Sequence, residues 1–360
     1  MKAMILSAGG ATRLYPLTYS LPKPLVPVMN VPVIEHIVEL LKRHGFDEIV
    51  INLHYQAKLL ISALGDGSRF GVKIQYSVEE ELLGTAGGLR QVAAQLDGDE
   101  PFLVIGGDTL TDLDLTSMLN FHRQHKALAT VAVQPLADRQ KNSEMGILEL
   151  DGDDRVTWFL EKPGPSRGDA GHWGSGGIYL FDPSFLTRIP AKGACDLALQ
   201  VFPELVRNRE AFFGFSMGNA YWCDIGSHLR YRQTHWDLLH GRTKIRIPGK
   251  ELHAHVWVEE GAVVHPRAIL KAPLLIGAGC RIDEGVELQG PTVLGAGTHI
   301  QAGARVKNSI LWERSVVAER AVVEDCLTGS QCRLLSQQRY SKMVLGSGAR
   351  DEGSERESID

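Results

Sequence analysis

The chain has 360 residues, 44% hydrophobic and 22% charged, which leaves room for two or three domains with sizeable cores and excludes wholesale disorder. A formal net charge of −5 excludes a general nucleic-acid binder, so phosphates must be met by a few placed cations. Five cysteines (Cys195, Cys223, Cys280, Cys326 and Cys332) include no CxxC pair, which points to reduced thiols in a cytoplasmic protein rather than to disulfides or zinc.

No run reaches the ~18 apolar residues of a membrane span, and the stretch before Gly9 is too short for a signal-peptide core, so no membrane partner is expected. The strand-like Ala3 to Leu6 runs into SAGGATRLYPLTYSLPKP, Ser7 to Pro24. This loop matches neither GxxxxGK(S/T) nor GxGxxG. Its chemistry nevertheless suits an anion. Gly9 and Gly10 let main-chain N–H groups approach closely, Thr12 adds a hydroxyl, and Arg13 offers a planar multi-donor cation. Pro22 and Pro24 restrict the backbone around Lys23, which lowers the entropy lost in aiming its ammonium. Read alone, the loop could also be a tight turn with a surface lysine.

Pro32 then opens a helix whose Ile34, Ile37, Val38 and Leu41 share one face, with Gly45 as its C-terminal cap. EIVINL (Glu48 to Leu53) and VKIQYS (Val72 to Ser77) read as strands, and the acidic run Glu79 to Glu81 as an exposed loop edge. A helix over Ala86 to Leu96 leads to FLVIGGD, a buried strand ending at Gly106, Gly107 and Asp108. Strands alternating with helices predict a mostly parallel sheet, whose ligands sit beyond the carboxyl ends of the strands. The loops after Leu6 and Gly106 are therefore expected to be neighbours. From Gly146, GILEL and RVTWFLEKP flank a DGDD hairpin turn, GGIYLF adds a strand, and a helical segment covers Asp196 to Asn208. This middle stretch is expected as an α+β extension closing over the first sheet.

The last third differs in kind. Every sixth residue from Val258 is apolar: Val258, Val264, Leu270, Ile276, Ile282, Leu288, Leu294, Ile300, Val306 and Trp312. Small or β-branched residues dominate two positions earlier. A period of six marks a β-solenoid, each hexad forming one short face of a coil. The ten hexads span about three coils, with a short ending. Leu239 to Leu252 reads as the connector, and residues 346–360, small or charged throughout, as a disordered tail. The 13 histidines form no HExxH or other ligand spacing, so they count as structural or solvated.

AGGATRLYPLT…LPKPLVPV resembles the signature of the sugar-1-phosphate nucleotidylyltransferases. LLGTAGGL (Leu82 to Leu89), GGD (Gly106 to Asp108), FLEKP (Phe159 to Pro163), GGIY (Gly176 to Tyr179) and YWCDIG (Tyr221 to Gly226) resemble further family segments, in family order, ahead of a hexapeptide solenoid. The similarity is closest to mannose-1-phosphate guanylyltransferase-like members. It implies a fold class of α/β, with a Rossmann-like nucleotidyltransferase domain over residues 1–238, a linker over 239–252 and a left-handed parallel β-helix over 253–335. It implies attack of a sugar 1-phosphate oxygen on the α-phosphorus of a nucleoside triphosphate, giving an NDP-sugar and pyrophosphate. Such a reaction needs alignment of two polyanions and offset of their charge rather than a Ser–His or Cys–His pair.

By this resemblance Arg13, Lys23 and Asp108 are the catalytic set, and Asp108 and Asp224 hold Mg²⁺, which prefers oxygen ligands. Ala8, Gly9, Gly10, Ala11, Thr12 and Arg13, with Gly84, Thr85 and Gly87, would bind the nucleotide. Glu161, Lys162, Ser175, Gly176 and Gly177 would bind the sugar phosphate. The sequence departs from the family where Ala8 and Ala11 replace usual glycines and where Ser175 replaces an asparagine. The expected partners are a nucleoside triphosphate, a sugar 1-phosphate and further copies of the chain through the β-helix. GTP with mannose 1-phosphate is the leading pair. A glucose-1-phosphate enzyme using UTP, dTTP or ATP, a non-catalytic regulatory relative and an acyltransferase in the solenoid are the alternatives.

Overall fold

A computed structural model describes residues 1–10, 12–136, 145–162, 172–350 and 356–358. The chain divides into two compact units, Met1–Gly9 with Ile34–Trp222, and Gly10–Val33 with Cys223–Asp360.

The first unit is built on a nine-stranded sheet. Lys2–Leu6 lies between Glu48–Leu53 and Phe102–Gly106, parallel to both, and Lys73–Val78 extends the parallel set beyond Glu48–Leu53. The three inner strands are apolar because they are covered on both faces, whereas Lys73–Val78 at the edge is largely exposed or half-buried. The helix expected after Pro32 is Val33–Arg43, closed by Gly45 at φ 78°. The one expected over Ala86 to Leu96 is broken at Val92 into Gly84–Gln91 and Ala93–Leu96.

The middle stretch does not close over this sheet; it continues it. Trp173–Phe181 pairs antiparallel with Phe102–Gly106, and Ile147–Leu150 and Ala129–Pro135 pair with Trp173–Phe181 in turn. The open ladder edge of Phe102–Gly106 accounts for this, since its N–H and C=O groups must be paired when buried. The DGDD hairpin is present, with Val156–Leu160 antiparallel to Ile147–Leu150. Phe102, Phe181, Phe185, Phe202 and Phe212 are fully buried beneath this half of the sheet, and each contributes about 1.5–3 kcal/mol of burial.

The second unit holds the C-terminal solenoid. Its strands stack into three parallel sheets, two of them five-stranded, so five coils are present where about three were expected. Leu274–Ile276 pairs with Thr292–Leu294 at a spacing of 18 residues, as three hexads require. The next coil is one residue shorter, Leu294 pairing with Leu311, so Leu311 rather than Trp312 continues the inward column. The physical cause is a corner. Gly290 and Pro291 turn one coil, whereas Asn308 alone turns the next at φ 46°, followed by Asp325 and Lys342 at the matching corners. The shift puts Trp312 at a corner where other coils carry Gly277, Gly295, Gly329 and Gly346.

The connector ends in a strand, Lys250–His253, antiparallel to Val256–Val258. At the other end the coil runs past residue 335. Met343–Leu345 is its last rung of one sheet, and Arg356–Ser358, within the stretch expected as a disordered tail, pairs antiparallel with it. The opening segment also belongs to this unit. Tyr231 on the helix His228–Leu239 donates to the Pro27 carbonyl at 2.6 Å, and Trp312 Nε1 donates to the Tyr231 hydroxyl at 2.9 Å. Asn30 Nδ2 donates to Glu259 Oε1 at 2.8 Å and to the Leu294 carbonyl at 3.0 Å.

Candidate functional site

In the first unit the carboxyl ends of the parallel strands bring the expected segments to one edge. Leu6 is in register with both Asn52 and Gly106, and the Gly107 N–H donates to the Leu6 carbonyl at 2.8 Å. Ala8 and Gly9 therefore leave the sheet beside Gly106, Gly107 and Asp108. Ile178 pairs with Ile105, which delivers Ser175, Gly176 and Gly177 to the same edge from an antiparallel strand. Gly177 has φ 66° with open space where a Cβ would point, the conformation glycine supplies at no steric cost. A Cβ at Gly176 would instead lie 2.9 Å from Met217 Cε.

Gly84 and Gly87 turn out to serve a protein contact. A Cβ at Gly84, φ 75°, would sit 2.5 Å from the Cys195 carbonyl oxygen, and the Ala86 and Gly87 N–H groups donate to that oxygen at 3.0 and 2.9 Å. The Thr85 hydroxyl donates to Asp196 Oδ2 at 2.9 Å and accepts from the Leu197 N–H at 2.8 Å. Asp196 caps the helical turn Leu197–Val201 with its other oxygen.

Glu161 lies where Gly146 leaves room, since a Cβ there would fall 2.7 Å from Glu161 Oε2. The Gly146 carbonyl accepts from the Ser175 N–H at 2.8 Å, so Glu161 and Ser175 flank one glycine. Burial raises the Glu161 carboxyl above its usual range, the Lys162 ammonium 3.6 Å away opposes this, and Asp196 adds to it. Lys162 itself is exposed, at φ 42°. Ser175 Oγ is 3.4 Å from the Tyr179 hydroxyl. Pro163 and Ala11 lie outside the described residues.

Gly10, Thr12, Arg13, Lys23 and Asp224 lie in the second unit. Thr12–Leu14 and Lys23–Leu25 form single helical turns, the latter capped by Pro22 and containing Pro24, so that the two prolines flank Lys23 as the sequence suggested. Asp224 accepts from the Gly226 N–H at 3.0 Å and from Arg230 Nη1 at 2.7 Å. A Cβ at Gly226 would lie 2.8 Å from Asp224 Oδ1 and 3.1 Å from Arg13 Nη2, so this glycine lets Arg13 and Asp224 approach.

No group of three or more His, Cys, Asp or Glu side chains that could hold a metal ion is found among the described residues. The donor set still fits Mg²⁺, which takes one or two carboxylates and completes its shell with water and substrate phosphates. Asp224 spends two of its roughly four lone-pair directions on Gly226 and Arg230 and keeps acceptor capacity. The five cysteines are free, and no helix is long and apolar enough to cross a membrane among the described residues.

Sequence reasoning missed Asn52, Glu79 and Asp196. Glu79 is 3% exposed and not part of a solvated acidic edge, whereas Glu80 and Glu81 are exposed. An Asp cap signal ahead of LALQV could have marked Asp196; nothing local singles out Glu79 among three consecutive glutamates.

Comparison with known proteins gives a consistent picture. A family model described as nucleotidyl transferase matches residues 2–241, and one described as the GMPPB C-terminal domain matches residues 252–351. A UTP–glucose-1-phosphate uridylyltransferase of Synechocystis is 35% identical over 92% of this chain and 88% of its own. A mannose-1-phosphate guanylyltransferase of Mycobacterium tuberculosis is 32% identical over 80% and 78% respectively, and one of Arabidopsis thaliana is 33% identical over 90% of each. A putative glucose-1-phosphate thymidylyltransferase from Bacillus anthracis, solved with sucrose, superposes with a TM-score of 0.59 at 26% identity, covering 69% of this chain and 98% of that one.

Proposed function

The chain belongs to the nucleotidyl transferase family, and from that premise we propose that it joins GTP to mannose 1-phosphate, forming GDP-mannose and releasing pyrophosphate. The observation that carries the reading is the gathering of Ala8–Gly9, Gly106–Asp108 and Ser175–Gly177 at one carboxyl edge of the sheet. Such an edge is where open α/β sheets bind ligands. Because the attacking phosphate oxygen is already anionic, the protein's task is alignment and charge compensation.

We assign Arg13 and Lys23, together with the N–H groups of Gly9, Gly10 and Thr12, to the triphosphate, and the two cations also to the departing pyrophosphate. The segment Gly84–Gly87 takes the nucleobase, its shape held by the Cys195 carbonyl. Lys162 holds the sugar phosphate, while Glu161 and Ser175 meet sugar hydroxyls. Asp108 and Asp224 are the carboxylates assigned to Mg²⁺, which when bound supplies charge compensation for the phosphates. The β-helix is assigned to contacts between copies of the chain, and the five free thiols suit a reducing cytoplasm.

A second reading, glucose 1-phosphate with UTP, is favoured by the Synechocystis relative, which spans 92% of the chain. A matrix of nucleoside triphosphates against sugar 1-phosphates, scored by pyrophosphate release, separates the two. GTP with mannose 1-phosphate is expected to give the highest turnover. Preference for UTP with glucose 1-phosphate would transfer the assignment to the second reading, and no release with any pair would overturn both.

A further inference from the structure

Phe102 pairs with Phe181 at the edge of the sheet opposite to Asp108 and Ser175–Gly177. Beside this pair lies a hollow of about 490 Å³, the size of a small-molecule site. Pro101, just ahead of Phe102–Gly106, and Asp182, just after Trp173–Phe181, line it on one side. His122, Arg123 and Lys126, at the end of the helix Leu115–Gln124 and the turn after it, line it on the other. All of these residues belong to the first unit. The two strands that deliver catalytic residues at one edge therefore both border this hollow at the other.

The lining keeps polar groups in reserve. His122 is 2% exposed; its Nδ1 lies 2.8 Å from the Thr130 hydroxyl, and its Nε2 is buried without a hydrogen-bond partner. Thr130 sits on the sheet strand Ala129–Pro135, so the bond to Nδ1 turns Nε2 away from that strand. A buried polar atom left unpaired costs free energy, which a bonded ligand would recover. Asp182 spends Oδ1 on the Ser184 N–H at 2.9 Å and on the Ser184 hydroxyl, and keeps Oδ2. Asp99 and Lys126 are exposed and form no ion pair among the described residues, whereas Glu100 and Arg123 answer each other. Lys126 also has a left-handed backbone, φ 47°, two residues after the helix end, where glycine is usual. A lysine is kept there at a cost in strain.

Charge selects the ligand. A plain anion would meet the carboxylates of Asp99, Glu100 and Asp182 and the negative end of the helix, and a plain cation would meet Arg123 and Lys126. We propose that the hollow is a second ligand site that takes a small zwitterion of the α-amino acid class. Its ammonium goes to Asp182 Oδ2 and Asp99, and its carboxylate to Lys126. Burial keeps the His122 imidazole neutral, so it adds no third cation to the wall. Its Nε2 is a donor or an acceptor according to tautomer, and the zwitterion carries a partner for either. Nε2 is screened from solvent, so contact with it requires an exposed lining side chain such as Arg123 to change rotamer. The site rests on its own geometry and holds whichever nucleotide and sugar the catalytic edge takes.

The experiment titrates the full chain with the proteinogenic α-amino acids, each up to about 10 mM, beside propionate and ethylamine, which carry one charge each. Thermal shift and calorimetry are the readouts. At about tenfold excess over its Kd, a bound amino acid should raise Tm by about 3–5 °C. At least one α-amino acid is expected to bind, and neither single-charge probe. Asp99→Asn and Lys126→Gly should each weaken that binding about fivefold or more. Lys126→Gly should also hold or raise the Tm of the free protein, because glycine relieves the left-handed backbone; loss of the ligand is thereby separated from loss of the fold. Failure of every α-amino acid to bind overturns the proposal. So does equal binding by propionate or ethylamine, full affinity in both variants, or displacement of the amino acid by nucleoside triphosphate or sugar 1-phosphate. Absence of turnover with any substrate pair, with amino-acid binding as described, overturns the functional reading and leaves this site standing.

Discussion

Tyr231→Phe removes one oxygen atom and with it two buried hydrogen bonds in series. The Tyr231 hydroxyl accepts from Trp312 Nε1 at 2.9 Å and donates to the Pro27 carbonyl at 2.6 Å; Tyr231 is fully buried and Trp312 3% exposed. Burial pushes the phenol far above its usual range, so the group stays a neutral donor. Phenylalanine keeps the ring and strands the indole N–H, a loss of about 1–3 kcal/mol for a buried donor, with about 1 kcal/mol more for the Pro27 acceptor. At about 2–4 °C per kcal/mol for a unit of this size, Tm of the transition involving the β-helix should fall by roughly 5–10 °C. Pro27 follows the turn Lys23–Leu25, so slackening there should also weaken nucleotide binding. Trp312→Phe is the control, because it leaves the bond from Tyr231 to Pro27 intact. Calorimetry and nucleotide KM are the readouts. A Tyr231→Phe protein that melts within a degree of wild type and binds nucleotide normally would refute the idea that this relay holds the opening segment.

The remaining predictions concern the site and its scaffold. Asp108→Ala should cost about 10²-fold or more in turnover with an unchanged circular dichroism spectrum, the scale seen when one charge-stabilising group is removed; unchanged turnover would mean the metal lies elsewhere. Lys162→Ala should raise KM for the sugar 1-phosphate, and a selective loss of nucleotide binding instead would end that assignment. Gly84→Ala should destabilise by at least about 1–2 kcal/mol from its left-handed backbone alone, before any displacement of Cys195, as denaturant titration can measure. His122 is buried against Thr130, and burial lowers its imidazole to about 4, opposed by Asp182 and assisted by Arg123. The unfolded chain takes up this proton first, so stability is full above the ordinary value of 6.5 and is lost as pH falls toward about 4. The slope is at most about 1.4 kcal/mol per pH unit. His122→Phe should flatten that slope in denaturation curves between pH 7 and 4, and an identical slope in both proteins would assign it to other groups.

Much of the architecture is legible without coordinates. The proline-framed turn at Lys23 and the glycine cap at Gly45 follow from steric rules that act within a few residues, and so does the hairpin at Asp151–Asp154. The hexads of the solenoid are equally plain, because each inward position must be apolar to fill a narrow coil. Their register is legible as far as Val306. One missing residue at the Asn308 corner then moves Trp312 from the presumed inward column to a corner, where its indole reaches Tyr231.

Other assignments needed distance in sequence to become nearness in space. The glycines of LLGTAGGL signal close approach, but only the folded chain reveals that the Cys195 carbonyl is what approaches Gly84 and Gly87. Glu79 is indistinguishable from Glu80 and Glu81 along the chain; the ladder register that sets Asn52 between Leu6 and Ser77 turns it inward. Whether residues after Gly146 cover the sheet or join it depended on which strand edge remained unpaired at Phe102–Gly106. Local periodicity and turn chemistry are written in neighbouring residues because short-range sterics enforce them. Pairing of buried polar groups is decided by strand register and burial, which no short window of sequence contains.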